Sequence, residues 1–379
     1  MARVRFNGVR IAGVQLVVPE GCINIDDEIE FFNNDQALLK RNKTILGLGT
    51  RHVADDRTTN CDLCESAGRL LLQNLGVDLS SIGALIVAST SHDYKYPASA
   101  CILQNRLGLT EDTTCVDMTG LACSSYVHAL LTAHSYIQSG VAEKCLVLAG
   151  EISSIHSDRR NRNSNMLFGD AGTATLVEKA QDDRAAWFLT GTRGRGWDKI
   201  IAPAGGWAIP IQKDIIDIEE TDSSGNVWHL WDEIMKGMDI FKFTTDVGPR
   251  GIAEILQCSG RSKEDVDYFA FHQANKQIVR TVASYANLPK EKFSTEAFTR
   301  FGNCGTAAVV TDICHRLSSC VAKSVCLATF GVGLSWGFAM LDMGDVKICP
   351  VSYYKTPPGK MNRREKIEYW IRYFKEGNR

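Results

Sequence analysis

The feature that most constrains the fold is a set of four short, nearly all-apolar runs arranged in two pairs. Residues 84–90 (ALIVAST) and 144–149 (KCLVLA) bracket a helical pattern that begins near Cys123, and residues 267–271 (DYFAF) and 324–330 (SVCLATF) bracket another that begins near Asn303. A strand with no polar face must be covered on both sides. Strands of this kind alternating with helical patterns therefore predict parallel sheets between helices, an α/β architecture. The two pairs are similarly spaced, with 61 residues from Leu85 to Leu146 and 57 from Tyr268 to Val325. Each half then closes on another apolar strand, at 172–178 (GTATLVE) and 337–343 (GFAMLDM). This spacing fits two pseudo-duplicated α/β halves, and it equally fits one large doubly wound sheet. The length of 379 residues suits two compact domains.

With 44% hydrophobic and 23% charged residues and nine prolines, the chain has the composition of a packed protein, not a disordered one. Its 42 basic and 44 acidic side chains leave a formal charge of −2, so there is no cationic field to hold a polyanion, and nucleic acid is not an expected partner. The first residues lack an uninterrupted apolar segment of secretory type. The apolar run at 325–340 is short for a membrane span and is broken by Gly331, Gly333 and Gly337, so it reads as two buried strands joined by a glycine turn. Thirteen cysteines without an export signal read as small buried hydrophobes in a reducing cytoplasm, and no transmembrane segment is expected.

After Pro357-Pro358-Gly359 the character of the chain changes. The tail carries eight cations, Lys355, Lys360, Arg363, Arg364, Lys366, Arg372, Lys375 and Arg379. Ile367, Trp370, Ile371 and Phe374 fall on one stripe of a predicted amphipathic helix. Such a helix docks its stripe on the body or on a second subunit, or else meets a membrane surface or an acidic partner.

Three stretches place a reactive or polar side chain where an apolar strand gives way to a helix: GLACSS at 120–125, FHQAN at 271–275 and FGNCGT at 301–306. In a parallel sheet such junctions open at one end, where residues distant in sequence converge. Cys123 is predicted at the first turn of a helix running through Val127, Leu130, Leu131 and His134. Free backbone amides and the helix dipole there are expected to lower its thiol pKa. His272 ends a strand, where an imidazole can reach a thiol or a carbonyl. Asn303 lies between Gly302 and Gly305 and reads as a side-chain donor or a helix N-cap. The glycine-rich turn at 330–337 (FGVGLSWG) can offer backbone N–H groups to an oxyanion, or serve simply as a tight turn.

The order Cys, His, Asn, together with HQAN at 272–275, FGN at 301–303, FGVGLSWG at 330–337, MLFGDAGTAT at 166–175 and KGMDIFK at 236–242, resembles the β-ketoacyl-acyl-carrier-protein synthase III family of thiolase-fold condensing enzymes. The resemblance runs from about residue 8 to residue 345. It implies a thiolase fold, a five-layer αβαβα arrangement of two duplicated halves (1–183 and 184–350) followed by the basic extension 351–379. It also implies a two-step acyl transfer. Cys123 takes an acyl group from a thioester while the backbone amides of Cys123 and Val332 hold the oxyanion. His272 and Asn303 then stabilise the enolate left by decarboxylation of a malonyl-type thioester. Tyr96, Phe330, Gly331 and Gly333 are the expected pocket residues. Tyr96 falls where a residue reaches the pocket of a partner subunit, which implies a homodimer. No metal and no organic cofactor is implied; the substrates are acyl-CoA or acyl-carrier-protein thioesters.

The chain departs from the family at three places. Arg41 and Ile45 stand where the family places a tryptophan and an arginine that clamp the adenine of coenzyme A. This favours a carrier-bound donor, with Lys242, Lys276 and Arg280 as contacts for an acidic carrier protein. The nucleophile is followed by Ser124-Ser125-Tyr126 rather than by small residues including glycine. The basic tail is the third departure and points to a specialised relative. Competing readings are acyl transfer to an alcohol or amine without decarboxylation, a papain-type cysteine hydrolase, and a silent partner subunit. A hydroxymethylglutaryl-CoA-synthase-like reaction needs a glutamate base, and residues 91–100 offer none. The Cys61-Asp62-Leu63-Cys64 pair and the glycine-rich stretch at 191–196 are assigned no function.

Overall fold

The computed structural model describes residues 1–155 and 158–376; Arg379, one of the tail's cations, lies outside them. The two pairs of apolar runs form two parallel strand pairs. Ala84–Ala88 runs parallel to Lys144–Glu151, and Tyr268–Phe271 runs parallel to Ser324–Gly331. The registers match Leu85 with Leu146 and Tyr268 with Val325, the same pairs whose spacing suggested a repeat. In each half the second strand then turns back antiparallel against the closing strand, Ala171–Lys179 in one and Ser335–Asp342 in the other. That strand pairs in turn with the strand that opens its half, Val9–Pro19 or Ala185–Thr192. The repeated strand order is the duplication made visible.

Each sheet also borrows from the other half. Ala2–Asn7 joins the edge of the second sheet beside Ala185–Thr192, while Lys347–Ile348 and Ser352–Tyr354 pair with Val9–Pro19 at the edge of the first. The alternation of side chains along each strand builds the layers. Leu85, Val87, Leu146 and Leu148 face outward under the helices Asn60–Leu75 and Ser99–Leu107. Cys326, Ala328, Phe338 and Met340 face outward, on the other side, under Gly237–Ser259 and Lys276–Tyr285. The inward faces, including Ile86, Val147, Val325 and Leu327, pack on two central helices, Ser125–Ser139 and Ala308–Leu317. Five layers in the order αβαβα result.

The buried polar framework ties the loops around the ends of the central helices. Arg51 and Glu28, both almost fully buried, form a two-pronged ion pair, with Nη1 to Oε2 at 2.6 Å and Nη2 to Oε1 at 2.8 Å, and Arg159 adds a third contact at 3.1 Å. Replacing Arg51 with alanine leaves Glu28 buried with one exposed cation as partner. We expect the substitution to lower unfolding stability by about 3–5 kcal/mol in denaturant melts.

Arg363–Glu376 is helical as predicted, but its apolar stripe is mostly uncovered: Ile367, Ile371 and Phe374 are exposed. Among the described residues its contacts with the body include an edge-on approach of Trp370 to Tyr94 and a hydrogen bond from Lys366 Nζ to the Arg57 carbonyl. The expected docking of the whole stripe on the body of the same chain is therefore not found, since Ile367, Ile371 and Phe374 stay exposed. Among the described residues, no helix is long and apolar enough to cross a membrane.

Candidate active site

The two central helices start at the same cavity. Cys123 sits in the one-turn 3-10 helix Ala122–Ser124 that runs into Ser125–Ser139. The preceding Ala122 is held at φ 44°, a left-handed conformation that costs a non-glycine residue roughly 1 kcal/mol and sets a sharp turn beneath the sulfur. Asn303 precedes the matching turn Gly305–Ala307, which runs into Ala308–Leu317. Its backbone is clamped by the segment around Phe168: its N–H donates to the Leu167 carbonyl at 2.8 Å, and its carbonyl accepts from Gly169 N–H at 3.1 Å. The Gly305 N–H donates to Asn303 Oδ1 at 3.0 Å, which fixes the amide and leaves its NH2 group without a partner among the described residues. Gly305, at φ 54°, could not carry a side chain, since a Cβ would lie 2.7 Å from Glu151 Cγ.

His272 follows the strand Tyr268–Phe271 and extends its ladder by donating its backbone N–H to the Ala328 carbonyl at 2.8 Å. Ala274 and Asn275 of the HQAN motif also line the cavity, and Gln273 and Asn275 hold the loop in place. Gln273 ties the loop to the Ser294 carbonyl and the Phe298 N–H, and Asn275 Oδ1 caps the helix Lys276–Tyr285 by accepting from Ile278 N–H. The side chains of Cys123, His272 and Asn303 thus line one cavity of about 540 Å³, together with Phe330, Gly331, Val332 and Leu334.

The turn after Gly331 is locked to the cysteine turn. Ser335 Oγ donates to the Val332 carbonyl at 2.6 Å, and Ser124 Oγ shares a 2.6 Å hydrogen bond with Ser335 Oγ. Ser124, one of the departures in the sequence, is therefore the bolt between the two turns. Tyr126 is packed in the central layer with its hydroxyl on Thr175. The backbone N–H groups of Cys123 and Val332 donate to no other group among the described residues. A Cβ at Gly331 would lie 2.6 Å from the Ser124 nitrogen and closer still to the Leu121 carbonyl oxygen. Gly331→Ala must push the two turns apart. We expect a stability loss of about 1–3 kcal/mol in thermal melts, accompanied by loss of acyl loading on the cysteine measured by intact mass.

The electrostatics of the cavity differ from the sequence expectation for the cysteine. Burial pushes the Cys123 thiol well above its ordinary range, and the carboxylates of Glu233 and Glu151 push it the same way. Its own backbone N–H is the one opposing influence. The position at the helix start is outweighed by burial and by the two facing acids. His272 is pushed down to about 3 by burial, and its Nδ1 has no hydrogen-bond partner among the described residues, so the imidazole is neutral throughout the physiological range. Glu233 is pushed up to about 7 by burial and by the charge of Glu151.

Other expected site residues lie elsewhere. Gly333, at φ 127° in the turn, is not among the residues lining the cavity, whereas its neighbours Val332 and Leu334 are; a Cβ added to it would lie against Ser335. Tyr96 does not line the cavity of its own chain and is 71% exposed on the loop before Ser99–Leu107. Lys242 and Arg280 are exposed on the two helices whose neighbouring residues Phe241 and Ile278 line the cavity, and Lys276 borders a second hollow with Lys40 and Lys43. Cys61 and Cys64 are packed in the outer core. Glu151 and Glu233 are titratable cavity residues that the sequence did not reveal. Glu151 ends a largely apolar strand and Glu233 lies in an irregular stretch, so neither sits in a recognisable pattern.

The comparisons agree with this architecture. Residues 116–194 match the family model for 3-oxoacyl-(acyl-carrier-protein) synthase III, and residues 256–343 match the model for that family's C-terminal part. A Campylobacter jejuni protein with the provisional name 3-oxoacyl-(acyl-carrier-protein) synthase 3 is 35% identical, over 91% of this chain and 96% of its own length. A β-ketoacyl-(acyl-carrier-protein) synthase III of Acholeplasma laidlawii is 29% identical, over 88% of this chain and 98% of its own. The crystal structure of a 3-oxoacyl-(acyl-carrier protein) synthase from Burkholderia xenovorans LB400 superposes with a TM-score of 0.85 at 33% identity, covering 93% of this chain and 99% of that one. The chain belongs to the 3-oxoacyl-(acyl-carrier-protein) synthase III family and has the thiolase fold of condensing enzymes.

Proposed function

We propose that the protein joins an acyl group to a malonyl-type thioester by decarboxylative Claisen condensation, with Cys123 as the acyl carrier. In the first step the Cys123 sulfur attacks the donor thioester, and the N–H groups of Cys123 and Val332 hold the tetrahedral oxyanion. In the second, the extender's thioester carbonyl lies against His272 and the free NH2 of Asn303. Loss of CO2 leaves an enolate held by these two donors, and its carbon attacks the acyl-cysteine. A β-keto thioester leaves and Cys123 is freed. A neutral histidine suits this role, since it can donate one hydrogen bond from Nε2 without carrying a charge in a buried position.

The observation that carries the reading is the convergence of Cys123, His272 and Asn303 on one cavity, with two backbone N–H groups that bond to no other residue and an amide NH2 without a partner among the described residues. The chain's own residues cover every step of this chemistry, and no cofactor enters it. An acidic carrier protein would approach over Lys242, Lys276 and Arg280, and coenzyme A without its aromatic clamp would be the poorer donor. In a homodimer, Tyr96 would reach the partner's cavity. The working compartment is the cytoplasm.

Incubation with acyl-CoA and acyl-carrier donors, followed by a malonyl thioester, tests the reaction. We expect a β-keto thioester two carbons longer than the donor acyl group, detected by mass spectrometry. Acyl esters or amides formed from alcohols or amines, with the malonyl thioester left intact, would overturn it.

A further inference from the structure

Acylation needs the Cys123 proton to go somewhere, and the cavity limits the choices. The titratable side chains facing Cys123 are His272, Glu151 and Glu233. His272 is held by burial well below the usual imidazole range and binds a proton poorly, and its Nδ1 has no partner among the described residues. Glu151 is fully engaged. Its Oε1 accepts from the Thr90 N–H and hydroxyl and from the Ser91 hydroxyl, and its Oε2 accepts from the Thr306 hydroxyl at 2.9 Å. Glu233 is the contrasting case. It lies just before the short strand Ile234–Met235, which is pinned to Ile200–Ile201, and its carboxylate takes part in no hydrogen bond or ion pair among the described residues. On the same loop, Asp232 is committed to the His229 N–H at 2.7 Å, and Lys236 pairs with Asp198. Glu233 is therefore an uncommitted carboxylate on the wall of the cavity that Cys123 also lines.

We propose that Glu233 is the proton acceptor for Cys123 during acylation and that it passes this proton to the departing thiolate. The inference rests on the acyl-enzyme reading above. The proton leaves Sγ for the Glu233 carboxylate, directly or through one water, as the Sγ–carbonyl bond forms. The bond from that carbonyl to the donor sulfur then breaks with its electron pair on sulfur, and the Glu233 proton goes to that sulfur. A free thiol departs and Glu233 is again ionised. A carboxyl group whose affinity for a proton is balanced near neutrality suits transfer in both directions. Only the ionised form accepts a proton, so loading slows as pH falls through about 7.

The test is Glu233→Gln, which keeps size and shape, with Glu233→Asp beside it. Loading of Cys123 from acetyl- and octanoyl-thioesters and alkylation by iodoacetamide are followed by intact mass from pH 5.5 to 9. Removing the charge lowers the barrier to forming the thiolate. E233Q is therefore expected to be alkylated at least as fast as the unsubstituted protein, yet to load about 10²-fold or more slowly and to lose the acid limb of the loading profile. E233D is expected to recover part of the rate and the limb. If E233Q loads as fast as it is alkylated, Glu233 is only an electrostatic neighbour and the proposal is overturned. If the unsubstituted protein gains no adduct from any thioester, the acyl-enzyme reading fails first.

Discussion

Cys123→Ala is expected to abolish acyl loading altogether and to lower the overall condensation rate by roughly 10⁴-fold or more, the scale on which removing a nucleophile acts. The argument does not depend on the thiol being unusually acidic. The sulfur sits above the strained Ala122 turn, beside two N–H groups with no other partner among the described residues, and faces a cavity able to take a substrate. Position and proton removal carry the reactivity. Alanine keeps the Cβ and the backbone of the turn, so the variant should fold normally. Intact mass with an acyl thioester donor should show no adduct on C123A, and a circular dichroism melt should lie close to that of the unsubstituted protein. An adduct of equal stoichiometry on C123A would place the acyl group on one of the other twelve cysteines or another nucleophile.

His272→Ala and Asn303→Ala should separate the two steps. Neither side chain is assigned a part in holding the first oxyanion. Each variant is therefore expected to load an acyl group within about tenfold of the normal rate, but to form the β-keto product about 10²–10³-fold more slowly, as expected for loss of one donor to a developing enolate. Burial has already driven His272 to its neutral form, so H272A removes no charge, and its deficit should stay constant from pH 6 to 8. Asn303 needs a second control. Its Oδ1 accepts the Gly305 N–H, and alanine leaves that buried amide unpaired, at about 1–3 kcal/mol in stability. Asn303→Asp keeps the acceptor and loses the NH2 donor, so it should fold better than N303A and yet condense no faster. Rapid-quench loading measured against steady-state product formation reads the split. Equal losses in both steps would show that the two residues act earlier than assigned.

The duplicated sheets were legible because their strands are apolar on both faces, a pattern that few local alternatives produce. The spacing of Leu85–Leu146 and Tyr268–Val325 left open two halves or one large sheet, and the pairing of these residues in register comes from the structure. Cys123, His272 and Asn303 were legible as residues at strand ends. Their meeting at one cavity depends on the central helices lying side by side between the sheets, a tertiary relation that no local stretch encodes. The raised thiol was not legible, since it comes from burial and from Glu233 and Glu151, which lie 110 and 28 residues along the chain from the cysteine. Gly333 was misplaced because the sequence marks a glycine turn without saying which of its residues faces inward. The exposed stripe of the C-terminal helix shows the same limit: a 3.6-residue pattern predicts an apolar face but not what meets it.

A single-turnover chase tests the account at its centre. The protein is loaded with an acyl group, freed of excess donor, mapped by peptide mass spectrometry, and mixed with a malonyl thioester. The predicted result is an acyl adduct on the peptide bearing Cys123 that disappears as β-keto thioester and CO2 appear in equal amounts. An adduct that persists while CO2 is released, or one mapped to a peptide without Cys123, would contradict it.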